Sequence, residues 1–322
     1  VSLVDKGEKI EKFFRRWEYW PQIDADIVYL MLRGLYNARF DLATAPSSLK
    51  KISDELLEID NEYPPWFKAE LIHYQQLAHL FLAHDSNDTE KRQNFFNSLR
   101  TALELLETET DSPTELASYS RIATTIINGD PYSQDIYELA DKAIEIKSRL
   151  FDTEGVAITR GAIARASFFA GERLFKDGKK AEAQESFNIF LIRADEWKSV
   201  SQETSAPLSV IVMADNLKAQ AFLYLSQIEP ENIGNVKNAF SLIKSVMEMN
   251  LHPDTNDMNL FRQLASAKAI LFELQLLDKR LTKEFPLKGT QQFYEKFGAH
   301  LEPFLKNKFT NLIKLYKLGW NI

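Results

Sequence analysis

Histidine is the side chain most often used for metal binding and for proton transfer near neutral pH. The chain contains five histidines, at positions 73, 79, 84, 252 and 300. His73 and His84 lie eleven residues apart, about three helical turns, so they share one face of a predicted helix. No carboxylate stands between them at metal-ligand spacing, and the HExxH pattern is missing. We therefore expect these histidines to pack or to lie at the surface, and we predict no metal site.

Motifs for nucleophilic catalysis and phosphate binding are also missing. The sequence contains no GxSxG and no GxxxxGK[ST], and no GxGxxG follows a strand. General acid–base catalysis needs carboxylates held in apolar pockets, whereas the closely spaced acids of this chain fall at predicted helix ends and turns, where they are solvated. These acids are Glu107, Glu109, Asp111, Glu229 and Glu231. We predict that the protein is not an enzyme and uses no cofactor.

Near the N-terminus, residues 12–20 (KFFRRWEYW) combine arginines with aromatic rings. This combination could bind single-stranded nucleic acid by stacking, but a capping helix would carry the same residues on one side. Neighbouring glutamates dilute the positive charge, and the net charge of the chain is −7, which disfavours binding to phosphates. We favour the capping helix and expect no nucleic-acid partner.

At the other end, residues 283–317 contain seven lysines and three glutamates. A terminal helix that seals a helical array, a partner interface and a membrane-surface helix all have this pattern, and we favour the sealing helix. The apolar stripe of this segment consists of Leu301, Leu305, Phe309, Leu312, Ile313 and Tyr316.

The composition is that of an ordinary folded protein, with 45% apolar and 26% charged residues among 322. There is no cysteine, which excludes disulfide frameworks and thiolate metal sites. The first residues (VSLVDKGEKIEKFF) are too charged for a secretory signal, and no apolar run reaches the roughly 18 residues of a membrane span. We expect a cytoplasmic protein without a membrane span. Because the chain begins at Val1, we take it as a processed form or a piece of a longer protein.

Residues 155–197 form the clearest structural unit in the sequence, two helices joined by a tight turn at 176–179. Apolar residues recur at three- and four-residue steps on both sides of the turn, which is the spacing of one helical face. Asp177–Gly178 stops the first helix, because glycine tolerates the left-handed conformation of a helix cap. The first helix is rich in glycine and alanine, which predicts close approach of a neighbouring helix.

This hairpin resembles the tetratricopeptide repeat. Gly171, Leu174, Gly178, Ala183 and Phe187 stand at the spacing of the small, bulky, turn, small and aromatic residues of that motif. Ser167 stands where the family usually has tryptophan, and Phe190 where it usually has alanine. The match covers this one hairpin.

The resemblance implies that the first helix of each pair lines a concave groove. An alternative from the residues themselves is that the two phenylalanines of this set pack against the neighbouring pair. We predict the groove positions to be Arg165, Phe168, Glu172, Phe175 and Lys176 in the matched hairpin, with Arg121 before it and Lys218 after it.

The remaining chain reads as further helix pairs, whose second helices recur roughly every 40–55 residues, as in helical solenoids. We predict an all-α fold, a right-handed α–α superhelix similar to tetratricopeptide arrays, with capping helices at both ends. The predicted single domain spans 1–322, with N-terminal helices over 1–63, central pairs over 64–255 and C-terminal capping helices over 256–322. Stacking of the pairs would supply the core.

The function implied by this resemblance is non-catalytic binding of a protein or peptide segment in the concave groove. The alternative is a regulatory domain of a bacterial signalling or defence protein that senses a peptide or a small anionic ligand. Basic residues that could converge on such an anion include Arg33, Arg121, Arg160, Arg165 and Lys218. A fold alone does not decide between these functions.

Overall fold

The computed structural model of the chain describes residues 65–82, 89–106, 112–130, 133, 135–249, 257–278, 281 and 287–317. Eleven α-helices and no β-strand occur in these ranges, which confirms the prediction of an all-α protein. The predicted N-terminal helices over 1–63, with the aromatic stretch 12–20, lie outside the described residues, as do His84, His252 and the acids 107, 109 and 111.

These helices divide into two compact units, of which the first ends at Asp152 and the second holds the helices from Thr153 onward. The first unit contains α1 (Pro65–Leu82), α2 (Thr89–Glu104), α3 (Pro113–Gly129) and α4 (Ile136–Arg149). The second contains α5 (Thr153–Lys176), α6 (Lys180–Glu203), α7 (Leu208–Ile228), α8 (Ile233–Glu248), α9 (Met258–Leu277), α10 (Leu287–Phe297) and α11 (Pro303–Lys317). The predicted single domain over 1–322 stays a prediction.

In the first unit, α1 packs against α2 and α3, and α3 packs against α4. The helix α3 begins at Pro113, directly after Ser112, whose side chain accepts a hydrogen bond from the backbone N–H of Glu115. Apolar side chains from all four helices meet in one core. Its most deeply buried members include Ala69, Leu99, Ala102, Ile122, Ile126 and Ala143.

In the second unit, contacts pass from each helix to the next. The helix α5 packs on α6, α6 on α7, α7 on α8 and α9, and α9 on α10 and α11. Three apolar clusters follow one another along this series, the first around Phe187, the second around Ile243 and the third around Phe309. No cluster is formed by a single helix pair, so each pair depends on its neighbours to bury its apolar faces.

The hairpin of α5 and α6 is held together by small residues of α5 that lie under large rings of α6. A Cβ atom added at Gly161 would lie 2.6 Å from the Trp197 ring, and one added at Gly171 would lie 2.9 Å from the Phe187 ring. These glycines therefore have a packing role, as the abundance of small residues in α5 predicts. The predicted turn is confirmed, since Gly178 adopts φ +79 directly after α5.

Three helix ends in the middle of the chain share one hydrogen-bond pattern. At the first, the N–H of Phe151 bonds to the carbonyl of Ser148 and the next N–H to that of Lys147, and the same pattern recurs at Gly178 and Ser205. Each of these residues has positive φ and lies 27 residues after the previous one. Glycine is the residue that usually occupies this place, so Phe151 and Ser205 hold a conformation that L side chains rarely adopt.

Replacing Phe151 with glycine is expected to raise the free energy of unfolding by about 1 kcal/mol, because the left-handed conformation costs an L residue roughly 1–2 kcal/mol. Little packing is lost, since Phe151 is 89% exposed. Urea denaturation measures the effect. As the reverse control, Gly178→Ala should destabilise by a similar amount, and a glycine at 151 that destabilised the chain would contradict the expectation.

One described helix, α7, is long and apolar enough to cross a membrane by length and composition alone. Half of the relevant window is buried inside the protein. The helix also carries Asp215 and Asn216, which are both 1% exposed. Lys198 of α6 donates to both carboxylate oxygens of Asp215 at 2.8 Å, and Asn216 donates to the carbonyl of Gln263 in α9 at 2.8 Å. These bonds tie α7 to its neighbours as a core helix of the unit.

Candidate functional site

Three of the predicted groove residues converge on a tyrosine of the next hairpin. The hydroxyl of Tyr224 in α7 donates a hydrogen bond of 2.8 Å to Glu172 Oε1 in α5. Lys176 Nζ lies 3.2 Å from the same carboxylate oxygen, and the ring of Phe175 lies 5.1 Å from the tyrosine ring. Glu172, Phe175 and Lys176 therefore belong to one cluster, organised by a residue of α7.

Acidic groups surround the phenol of Tyr224. Burial raises its pKa above the ordinary value, and the charge of Glu172, the hydrogen bond to Glu172 and the charge of Glu273 raise it further. Glu273 belongs to α9, where it pairs with Lys308 of α11 at 3.1 Å. The phenol thus stays a hydrogen-bond donor at neutral pH, within electrostatic range of carboxylates from α5 and α9.

Phe168, another predicted groove residue, lies in the core. It is 2% exposed, and its ring centroid lies 5.3 Å from that of Phe190 and 5.9 Å from that of Phe187. Both of these rings belong to α6 of the same hairpin, and the ring of Tyr224 in the next hairpin lies 6.3 Å away, so Phe168 packs within its own pair as well as against the neighbouring one. Phe169, the next residue along α5, is 37% exposed, so it is the phenylalanine of this pair that a ligand could reach.

Arg165 and Lys218 are held by side chains of α6. The guanidinium of Arg165 stacks over the ring of Trp197 at 5.4 Å, and burial lowers its pKa to about 10, which leaves it charged at neutral pH. Lys218 forms an ion pair with Asp195 and is 12% exposed. The predicted residues of the second unit are therefore divided between the Tyr224 cluster, the surface of α6 and the core.

Arg121, the remaining predicted residue, belongs to the first unit and lies 3.2 Å from the buried carboxylate of Glu70. Burial alone would raise the pKa of Glu70. The hydrogen bond from His73, the charges of Arg121 and His73, and a hydrogen bond from Ser118 outweigh burial, so the pKa lies below its usual value. Arg121 consequently acts here as a counter-ion for a buried acid of α1.

His73 is 2% exposed and joins α1 to α3. Its Nδ1 lies 3.4 Å from Glu70 Oε2, and its Nε2 lies 2.9 Å from Thr125 Oγ1. This carboxylate, imidazole and hydroxyl have the order of a hydrolase triad. However, Thr125 directs its hydroxyl proton to the carbonyl of Arg121 at 3.1 Å and is therefore not activated as a nucleophile. The three groups form a buried polar crosslink between the two helices, in agreement with the packing role expected for His73.

Lys147 of α4 is a further buried ionisable group of the first unit. It is 5% exposed, and its ammonium donates 2.9 Å to Thr124 Oγ1 in α3. Burial lowers its pKa to about 8. The charge of Asp152 raises the pKa in part, and the charge of Arg121 lowers it further. Near neutral pH this lysine is charged in an environment that favours its neutral form.

The Lys147→Met variant is expected to lose a pH dependence of stability that the wild type shows. Because the folded pKa of Lys147 is about 8 against an ordinary 10.5, the unfolded chain binds this proton more tightly, and wild-type stability rises with pH between these values. Between pH 7 and 9 the gain relative to Lys147→Met should be about 1 kcal/mol. Urea denaturation at both pH values measures it. The assignment would be ruled out if wild-type stability did not rise with pH relative to Lys147→Met. It would also be ruled out if wild-type stability rose by the same amount relative to the exposed Lys317→Met.

Sequence reasoning missed both Tyr224 and Lys147. Lys147 carried a signal, because it continues the apolar face of α4 that runs through Ile136, Ala140 and Ala143. A lysine that continues such a face is buried with it as long as the helix extends that far. Tyr224 carried none, since it lies 52 residues after Glu172 and is one of 11 tyrosines. Its role depends on how α7 packs on α5.

Within the described ranges, no group of three His, Cys, Asp or Glu side chains could hold a metal ion. Comparison of the chain with protein-family models, with curated proteins and with solved structures finds no match. The likeness of residues 155–197 to the tetratricopeptide repeat therefore stays a prediction from the sequence.

Proposed function

We propose that this chain is a non-catalytic helical-repeat module that binds a peptide or a protein segment on the face formed by α5 and α7. The observation that carries the proposal is the cluster of Glu172, Lys176 and Tyr224, in which acid, base and phenol meet between two successive hairpins. The proposal includes the right-handed superhelical arrangement with capping helices, because such an array would place the first helices of successive pairs along one groove.

The binding face is defined here as Phe169, Glu172 and Lys176 of α5 with Gln220, Tyr224 and Gln227 of α7, and it is named the Tyr224 face. Within each helix these residues recur at three- and four-residue steps, so they share a side. None of the six is buried. The face therefore presents one aromatic ring, one phenol, two amides and an ion pair to the surface.

These groups match the chemistry of an extended peptide. The amides of Gln220 and Gln227 can donate to and accept from a peptide backbone, and the ring of Phe169 can cover an apolar side chain. Lys176 is 66% exposed and its partner Glu172 is 27% exposed, so this ion pair contributes little to stability. Either member can pair instead with a charged side chain of the peptide.

The test is selection of binders from a random displayed peptide library against the purified chain, followed by fluorescence-polarisation measurement of their dissociation constants. Lys176→Glu and Phe169→Ala should each weaken binding about tenfold or more, a change of about 1.4 kcal/mol. Lys237→Glu, an exposed lysine of α8 with the same charge change, should leave affinity unchanged. Failure to enrich any peptide, or equal effects of the two charge reversals, would reject the proposal.

A further inference from the structure

The outer side of α6 carries seven exposed residues that alternate in steps of three and four. They are Glu182, Glu185, Ile189, Ile192, Glu196, Ser199 and Glu203, named here the α6 row. This spacing is that of a seam along which a second helix can lie. At its centre, Ile192 is 65% exposed and Ile189 is 36% exposed. The row therefore places two unpartnered apolar side chains between acidic groups.

The four acids of the α6 row are neutralised only in part by cations of the described residues. Glu182 lies 3.7 Å from Lys179, and both side chains are more than half exposed, so the pair contributes little and its carboxylate can accept a further cation. Glu196 pairs with Arg160 at 2.6 Å. None of the seven positions holds a lysine or an arginine. A basic helix would therefore complement the charge of the row better than an acidic one.

The charge pattern also disfavours pairing of α6 with a second α6. A two-fold axis between Ile189 and Ile192 would bring these isoleucines together in an antiparallel pair. The same axis would place Glu185 opposite Glu196 of the other copy, twice over, and like charges in register repel. The preferred partner of the row is a different helix.

The described part of the chain contains a helix of the required chemistry in α11. Its sequence, PFLKNKFTNLIKLYK, has four lysines and no acid. Leu305, Phe309 and Leu312 are buried against the rest of the second unit, which leaves the opposite side free of internal packing. On that side Phe304 is 62% exposed, and Asn307, Asn311 and Lys314, which follow it at steps of three and four, are exposed as well.

In one antiparallel register, three of the four facing pairs between these surfaces are complementary, and the fourth places Asn307 on Ile189. Lys314 follows Phe304 by ten residues, and Glu182 precedes Ile192 by ten, a distance of about 15 Å along either helix. In an antiparallel pair that places Phe304 on Ile192, Lys314 therefore meets Glu182. Asn311 meets Glu185 in the same register, where its amide can donate to the carboxylate.

We propose that the α6 row is the docking site for α11 of a second copy of this chain. Each copy carries both surfaces, and they differ from one another, so the contact is head to tail and leaves one surface of each kind open at the ends. Association should increase with protein concentration and weaken as salt screens the lysine–glutamate attraction.

The decisive experiment uses two variants that each remove one surface. Ile192→Lys places a cation in the α6 row, and Phe304→Asp places an acid on α11. Because the two residues are 65% and 62% exposed, neither substitution should disturb folding, which circular dichroism checks. Sedimentation velocity at low salt should show concentration-dependent association of the wild type and a monomer for each variant alone. An equimolar mixture should form a one-to-one dimer, because each variant retains the surface that the other lacks.

A matched control is Ile233→Lys, which alters an isoleucine that is 63% exposed at the start of α8 and should associate like the wild type. The proposal is overturned if the wild type is monomeric at every concentration, if the variants still associate alone, or if the mixture stays monomeric. In a second arm, Glu182→Lys and Lys314→Glu should each weaken association, and combining both in one chain should restore it. These outcomes are independent of the Tyr224 face, so either proposal can fail without the other.

Discussion

Replacing Phe187 with alanine is expected to lower the free energy of unfolding of the second unit by about 3–5 kcal/mol, the usual cost of emptying a phenylalanine site in a core. Phe187 is fully buried. Its ring stacks on Tyr224 with centroids 5.1 Å apart and planes 7° from parallel. It also covers Gly171, where no side chain could fill the space that the ring leaves. The neighbouring helices cannot collapse into that space without moving α5 away from α6.

Urea denaturation followed by circular dichroism measures this effect, with Phe304→Ala as the control for the same chemical change at a 62% exposed site. The control should shift stability by less than about 0.5 kcal/mol. Because Phe187 supports the ring of Tyr224, the variant should also weaken peptide binding on the Tyr224 face. A loss of less than about 1 kcal/mol, the low end for core truncations, would mean that Phe187 is not packed as described.

Replacing Gly161 with alanine is expected to destabilise the chain by about 2 kcal/mol, although alanine is the better helix former by roughly 1 kcal/mol. The new Cβ would lie 2.6 Å from Cε2 and Nε1 of Trp197, closer than carbon atoms pack. Trp197 is 2% exposed and lies in the hairpin core, so the helices must separate. Overpacking of this kind costs about 1–3 kcal/mol beyond any gain in helix propensity.

The matched control is Gly289→Ala, because Gly289 lies in helix α10 with nothing within 4 Å of an added Cβ. There the helix propensity acts alone, and stability should rise by up to about 1 kcal/mol. A double-mutant cycle with Trp197→Phe adds a second criterion, since the smaller ring should relieve part of the clash at position 161. The close approach of α5 and α6 would be contradicted if Gly161→Ala and Gly289→Ala changed stability in the same direction. It would also be contradicted if the effects of Gly161→Ala and Trp197→Phe were additive in the double mutant.

The helices themselves were largely predictable because their signals are local. The predicted hairpin over 155–197 corresponds to α5 and α6, whose outer ends lie two and six residues beyond the predicted bounds. The turn at 176–179 was also predictable, because glycine after an apolar helical run is a backbone signal within a few residues. The other two turns of the same kind were not, since Phe151 and Ser205 reach positive φ without a glycine.

The candidate site was predictable only in part. Glu172, Phe175 and Lys176 share a side of one helix, which periodicity alone indicates. Whether Arg165 belonged with them depended on where Trp197 of α6 would lie, and its guanidinium stacks on that ring instead. Phe168 and Phe169 are adjacent in the chain and point about 100° apart around the helix, and packing buries the first and leaves the second 37% exposed.

By itself, the sequence determined that the described chain is helical, where the turn of the central hairpin lies, and that its small residues permit close packing. Those properties follow from backbone propensity and from spacing along a single helix. The tertiary structure alone decided that Tyr224 organises the groups around Glu172, that Lys147 is buried against Thr124, and that the described helices leave the α6 row exposed. Each of these depends on contacts between residues far apart in the chain, which no local pattern records.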